Sequence, residues 1–166
     1  METGSQLERV LVYSSFPVNS LAFSADGKLL ASGNADGNVV IWNLDDTSSQ
    51  PIVLVAHSSQ VNSLAFSPRG GLLASGSADG SIILWDLETY NAVGQPLVGL
   101  NAAVTALAIN PEGNLLASGN ADGSVVIWNI NPEYWRTQAC QRANRNLTPQ
   151  EWEKYFSGVD YHLTCP

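Results

Sequence analysis

The chain has 166 residues, 45% of them hydrophobic and only 13% charged, with a formal net charge of −8. A chain of this length holds a core without disulfides or metal, and two cysteines do not make a secreted disulfide scaffold. Between Val18 and Ile130 there are nine acids and two bases, Lys28 and Arg69, a balance that argues against nucleic acid and anionic membrane as partners.

The opening, Met1 to Leu7, is polar and lacks the apolar segment of a signal peptide. No stretch approaches the ~20 apolar residues of a membrane span. A cytoplasmic location is therefore expected. The triplet Asn146-Leu147-Thr148 fits a glycosylation acceptor, but such triplets arise often by chance. Low charge also implies Gly/Asn/Ser-rich loops and some apolar surface meant to be covered.

In chain order, Arg9-Val10-Leu11-Val12-Tyr13 comes first and has the pattern of an outer strand, with no inner strands before it. Val18 to Phe23 then alternates in a β-rich run, and Asp26-Gly27 supplies the glycine a hairpin turn needs. A second apolar strand contains Leu29-Leu30-Ala31-Ser32-Gly33, followed by the turn Ala35-Asp36-Gly37. Val39-Val40-Ile41-Trp42 is a third strand, and Pro51 to Val55 a fourth. The whole unit then returns twice at a spacing of 43 residues. Val61 to Ser67 and Val104 to Asn110 repeat the first strand, and Leu72 to Gly76 and Leu115 to Gly119 the second. Ala78 to Gly80 and Ala121 to Gly123 repeat the turn, and Trp85 and Trp128 keep the register of Trp42. Four strands per ~40–45 residues make one propeller blade. The third unit, however, runs from Ile130 straight into Asn131-Pro132 and lacks a fourth strand.

These residues resemble the WD40 family. The likeness is carried by the period, the Leu-Leu-Ala-Ser-Gly strand, the Ala-Asp-Gly turn, and Trp85-Asp86 with its variants Trp42-Asn43 and Trp128-Asn129. The expected fold is all-β: three antiparallel propeller blades over residues 8–130 (about 18–60, 61–103 and 104–130, with 8–13 an outer strand), forming an incomplete propeller. Residues 131–166 are expected to be a helical extension. Asn131-Pro132-Glu133 reads as a helix start, with Trp135, Ala139 and Ala143 at helical spacing. Thr148 and Glu151 read as a capping box before Trp152, Tyr155 and Phe156, with Ser157-Gly158 as the stop. This tail looks like the C-terminal extension of bacterial multidomain WD40 proteins, which carry NTPase, caspase-like or Ser/Thr kinase domains. That likeness implies the sensing or docking end of a signalling protein.

His57, Ser75 and Asp79 invite a reading as a catalytic triad. The family resemblance implies instead a buried hydrogen-bond network of His57, Ser75, Asp79 and Trp85 (with Ser77 a weaker alternative to Ser75), whose role is to hold one blade together. Partial sets stand in the neighbours: Ser32, Asp36 and Trp42, and Ser118, Asp122 and Trp128. Their histidine position is Ser14 or Leu100. A catalytic set would not leave such histidine-less copies on both sides. Each Asp-Gly turn offers one carboxylate, too few for calcium. No Cys/His metal spacing or phosphate loop is present. No catalytic residue, metal, cofactor or enzymatic activity is therefore expected. Cys140 and Cys165, with His162 nearby, are read as small apolar thiols that pin the tail, rather than as a redox pair or partial metal site.

The resemblance also places candidate partner-binding positions on one face: Pro17, Asn19 and Ala35; Gln60, Asn62 and Ala78; Ala103, Thr105 and Ala121. A protein or peptide ligand is expected there. These side chains are small or polar, without the Trp, Tyr or Arg of typical hot spots. Three blades make an open arc. Either further blades lie on a longer chain, or two copies assemble into six blades, the outer strand 8–13 completing a partner's third blade.

Overall fold

The computed structural model describes residues 10–13, 15–46, 48–55, 57–99, 102–135 and 148–155. The first sheet contains β1 (Val18–Phe23), β2 (Leu29–Asn34), β3 (Asn38–Asn43) and β4 (Ile52–Val55), paired in that order. The second holds β5 (Val61–Phe66), β6 (Leu72–Ser77), β7 (Ser81–Asp86) and β8 (Leu97–Val98). The third holds β9 (Val104–Ile109), β10 (Leu115–Asn120) and β11 (Val125–Asn129), in that order, and no strand among the described residues pairs with the outer side of β11. All ladders are antiparallel.

Val, Ile and Leu dominate these strands, and tight turns set their register. Gly37 shows why one such turn needs glycine. Its φ is +88°, and a Cβ there would stand 2.6 Å from the carbonyl oxygen of His57 on the next blade. No L side chain is comfortable in that backbone conformation, and none fits the gap.

The blades pack face to face through two apolar clusters. In the first, Ala31, Val39, Ile41 and Leu54 of blade 1 meet Val61, Leu64, Leu73, Ile83 and Trp85 of blade 2. In the second, Ala74, Ile82 and Leu84 of blade 2 meet Val104, Leu116 and Ile130 of blade 3. Each blade thus has a front, built on its Trp and on the Val, Leu and Phe of its first strand (Ile109 in place of Phe in blade 3), and a back, built on the Leu-Ala-Gly side of its second strand. Alternation along the strands assigns the two faces.

At the ends of the arc these same faces are uncovered. On the front, Val18 is 54% exposed and Leu21 63%, where Val61 is 0% and Leu64 8%. On the back, Val125 is 70% and Ile127 60% exposed, where Val39 is 0% and Ile41 1%.

Residues 10–13 belong to no strand, unlike the outer strand expected at 8–13. The edge of β3 is already occupied by β4, and the free edge of β11 lies at the far end of the arc. The segment instead borders the open front of blade 1, where Leu11, Val12, Tyr13 and Phe16 line a groove with Leu21 and Trp42.

Beyond β11 residues 132–135 are helical, with the Asn131 side chain accepting from the Glu133 N–H at 2.9 Å. Helix α1 (Pro149–Tyr155) opens with reciprocal bonds: Glu151 N–H donates to Thr148 Oγ1 at 3.2 Å, and Thr148 N–H to Glu151 Oε2 at 2.9 Å. Trp152 is buried. Ala139, Cys140, Ala143, Phe156, Ser157, Gly158, His162 and Cys165 lie outside the described residues, as do Ser14 and Leu100. No helix among the described residues is long and apolar enough to cross a membrane.

Candidate functional site

The hydrogen-bond set of blade 2 is assembled by two strands, the turn between them and the segment that precedes β5. His57 Nε2 lies 2.8 Å from Ser75 Oγ on β6, and Trp85 Nε1–H on β7 donates to the same oxygen at 2.8 Å. His57 Nδ1 faces the turn, 3.0 Å from Ser81 Oγ and 3.4 Å from Asp79 Oδ2. Ser81 Oγ donates to Asp79 Oδ1 at 2.6 Å, and the Ser58 backbone N–H to Oδ2 at 2.8 Å.

One proton arrangement satisfies every group. Because the indole can only donate, Ser75 Oγ accepts from it and passes its own hydrogen to His57 Nε2. Nδ1 then carries the ring proton and donates to Ser81 Oγ, whose hydrogen goes to the Asp79 carboxylate. The ring is therefore neutral. Burial agrees, pushing the His57 pKa below its usual value, only partly opposed by the Asp79 charge. Asp79 is raised by desolvation, but the hydroxyl and N–H of Ser81, the N–H of Ser58 and His57 bring it down to about 2.

The distances are those of a nucleophile, base and acid, but the surroundings are not. Ser75 is wholly buried, so no substrate carbonyl reaches Oγ, and one of its lone pairs is held by Trp85. Ser77 contributes elsewhere: its hydroxyl donates to the Ser59 carbonyl at 3.0 Å and accepts from the Asp79 N–H at 3.1 Å.

Neighbouring blades carry fragments of the same network. In blade 3, Trp128 Nε1–H donates to Ser118 Oγ at 3.0 Å, and Asp122 accepts from the hydroxyl and N–H of Ser124 at 2.6 and 3.0 Å. In blade 1, Asp36 accepts from Asn38 at 3.1 and 2.8 Å, but no hydrogen bond joins Trp42 to Ser32 among the described residues. Trp42 faces the open groove, where no preceding blade presses its ring toward Ser32.

Ser81 was not singled out from the sequence. The recurrence of Asp-Gly-Ser at 79–81 and 122–124 was the signal that it belongs to the set.

The candidate face positions gather at one rim. In every blade a backbone bond of 2.9 Å ties them in pairs: Ala35 N–H to Pro17 O, Ala78 N–H to Gln60 O, and Ala121 N–H to Ala103 O. Pro17, Asn19, Gln60, Thr105 and Ala121 are exposed; Ala35, Ala78, Ala103 and Asn62 are half-buried. Asn19 Nδ2 reaches Gln60 Oε1 at 3.4 Å, whereas Asn62 Nδ2 donates to the Val104 carbonyl at 2.9 Å and so joins blades 2 and 3. Among the described residues no three His, Cys, Asp or Glu side chains cluster as for a metal ion.

Comparison with known proteins agrees with this geometry. The family described as "WD domain, G-beta repeat" matches residues 6–43, 48–86 and 94–129. Two solved structures, "Structure of U3-55K" and "Crystal structure of RRP9 WD40 repeats", are similar to the chain. Each is 27% identical to it over 74% of its length, with a TM-score of 0.68. The chain spans only 38% of either structure. No curated protein sequence matches it. Three matched repeats over three propeller blades show that the chain belongs to the WD40 family.

Proposed function

We propose that the chain is a non-catalytic scaffold that binds a protein or peptide along the rim marked by Pro17, Gln60 and Ala121. One observation carries this: the same pair of positions recurs at the same rim in all three blades, fixed each time by a backbone bond of 2.9 Å. Such a rim presents repeated shallow contacts on a rigid frame, the arrangement repeat proteins use for extended partners. In the polar set that resembles a triad the serine and histidine are buried, so its chemistry is cohesion within blade 2 and not turnover. The acidic blades offer no attraction to phosphate.

The tail's likeness to bacterial multidomain WD40 proteins supports a finer reading: the docking end of a cytoplasmic bacterial signalling protein, with nucleotide chemistry elsewhere. A second reading, self-assembly, is favoured by the uncovered faces at both ends of the arc.

The test compares proteins captured by the parent and by a Pro17→Arg/Gln60→Arg/Ala121→Arg variant with unchanged circular dichroism. Partners held by the parent and lost by the variant support the rim. Identical capture by both overturns it.

A further inference from the structure

We infer that two copies of this chain close a six-bladed ring, blade 3 of each seated on blade 1 of the other. The inference rests on the reading that these blades serve within a closed propeller, and it names what covers the open faces.

The chain carries its own template for the contact. The back of blade 1, which packs on blade 2, presents Leu29, Ala31, Gly33, Val39 and Ile41. The open back of blade 3 presents Leu115, Ala117, Gly119, Val125 and Ile127, the same five residue types in the same register. On the receiving side, Val61, Leu64, Phe66, Leu73, Ile83 and Trp85 of blade 2 correspond to Val18, Leu21, Phe23, Leu30, Val40 and Trp42 of blade 1. Only Ile83 and Val40 differ. Two faces that fit inside the chain thus recur at its two ends, where Val18, Leu21 and Phe23 on one side and Val125 and Ile127 on the other are exposed.

The backbone leaves matching vacancies. At Gly33 and Gly76 an added Cβ would stand 2.6 and 2.5 Å from the Cγ1 of Val61 and Val104 on the following blade. At Gly119 it would meet Ala106 at 3.6 Å and Thr105 Oγ1 at 3.8 Å, both of its own blade and at ordinary contact distance, and at Gly123 nothing within 4 Å. The position of Val61 and Val104 is held in blade 1 by Val18, more than half exposed.

Residues 10–13 supply what blade 3 lacks. One period before Leu54 stands Leu11, and two periods after Val39 stands Val125. Val39 is paired with Leu54 in β3–β4, and Ile82 with Leu97 in β7–β8. The same register therefore sets Leu11 of one copy against Val125 of the other, on the free edge of β11. Within one copy the two lie at opposite ends of the arc. Propellers carry about four to eight blades, so two copies close a ring and three overfill it.

Light scattering on the chain as it stands is expected to give twice its 17.7 kDa mass. Val125→Asp/Ile127→Asp replaces residues exposed in the single copy. It should shift the mass to one chain without changing the circular dichroism. In a variant with Cys140→Ser and Cys165→Ser, Leu11→Cys/Val125→Cys should oxidise to a bond between chains. A folded parent of single-chain mass overturns the ring and points to further blades on a longer polypeptide. Masses above two chains, a bond formed within one chain, or a parent that stays unfolded overturn it too. Identical partner capture by parent and rim variant, at an unchanged two-chain mass, would instead count against the rim and leave the ring standing.

Discussion

Serine in the Leu-Leu-Ala-Ser-Gly strand occurs three times in three different environments, so one substitution made three times tests the network. Ser75 accepts from Trp85 and donates to His57, all three buried. Alanine nearly matches its volume, so no cavity cost intrudes. Ser75→Ala leaves the indole N–H and an imidazole nitrogen without partners, at about 1–3 kcal/mol for each buried group. The expected loss is about 2–5 kcal/mol, a large share of a small domain's stability. Ser118→Ala removes one bond to Trp128, whose half-buried indole recovers water, for about 0.5–1.5 kcal/mol. Ser32 bonds to no tryptophan, and Ser32→Ala should stay within about 0.5 kcal/mol. Urea unfolding followed by tryptophan emission measures all three, at one protein concentration because assembly shifts midpoints. Three equal losses, or a largest loss at Ser32, would refute the assignment of cohesion to blade 2.

Other outcomes follow from packing and titration. Gly76→Ala drives a Cβ into Val104 and should cost about 1–3 kcal/mol in urea melts, while Gly119→Ala, with its nearest neighbour at 3.6 Å, should leave single-chain stability unchanged. For pH, the folded pKa of His57 lies below 6.5, so the unfolded chain binds the proton first. That stability is complete above pH 6.5 and declines on acidification through the folded pKa. Tm should fall in that window, and His57→Gln should lower Tm at neutral pH while flattening the decline. Asp79, depressed from 3.8 to about 2, adds a second loss as pH falls from about 4 toward 2. Screening at its partly exposed carboxylate holds this loss to roughly 1 kcal/mol, and Asp79→Asn should reduce it.

Most of the architecture was legible because repetition made each of the first three strands visible three times over. The alternation that hides Leu64 and bares Leu21 is a property of position in the arc, and the text pointed to it through the missing fourth strand after Ile130. What was not legible depended on neighbours in space. Trp42 and Trp128 occupy one register, yet of these two only Trp128 finds its serine, because blade 2 packs against its ring whereas Trp42 lines an open groove against which no described blade packs. Residues 10–13 have strand character but no free edge within reach. Asn62, a candidate partner-binding position, also donates to the Val104 carbonyl, a bond between blades that no within-repeat pattern encodes.

Near-identical blades raise the question of what distinguishes one seam from another, since their apolar faces differ only by exchanges among aliphatic and aromatic side chains. The polar residues of the first strands do. At the seam of blades 2 and 3, Asn62 Nδ2 donates to the Val104 carbonyl at 2.9 Å, and Ser63 Oγ accepts from the Leu107 N–H at 2.9 Å. At the seam of blades 1 and 2 the equivalent Asn19 reaches only Gln60, at 3.4 Å, and the Ser20 hydroxyl is buried without a partner. Blade 3 carries Thr105 and Ala106 there, and Thr105 Oγ1 turns inward to the Gly119 carbonyl at 3.0 Å. The same substitution at two equivalent positions should therefore act with opposite sign. Ser63→Ala strands the Leu107 N–H and should destabilise by about 1–2 kcal/mol, whereas Ser20→Ala removes an unsatisfied hydroxyl and should stabilise by up to about 1 kcal/mol. Urea midpoints moving the same way in both variants would show that the seams are interchangeable. Opposite shifts would mean that hydrogen bonding, and not the shared apolar surface, makes the seam of blades 2 and 3 the stronger of the two.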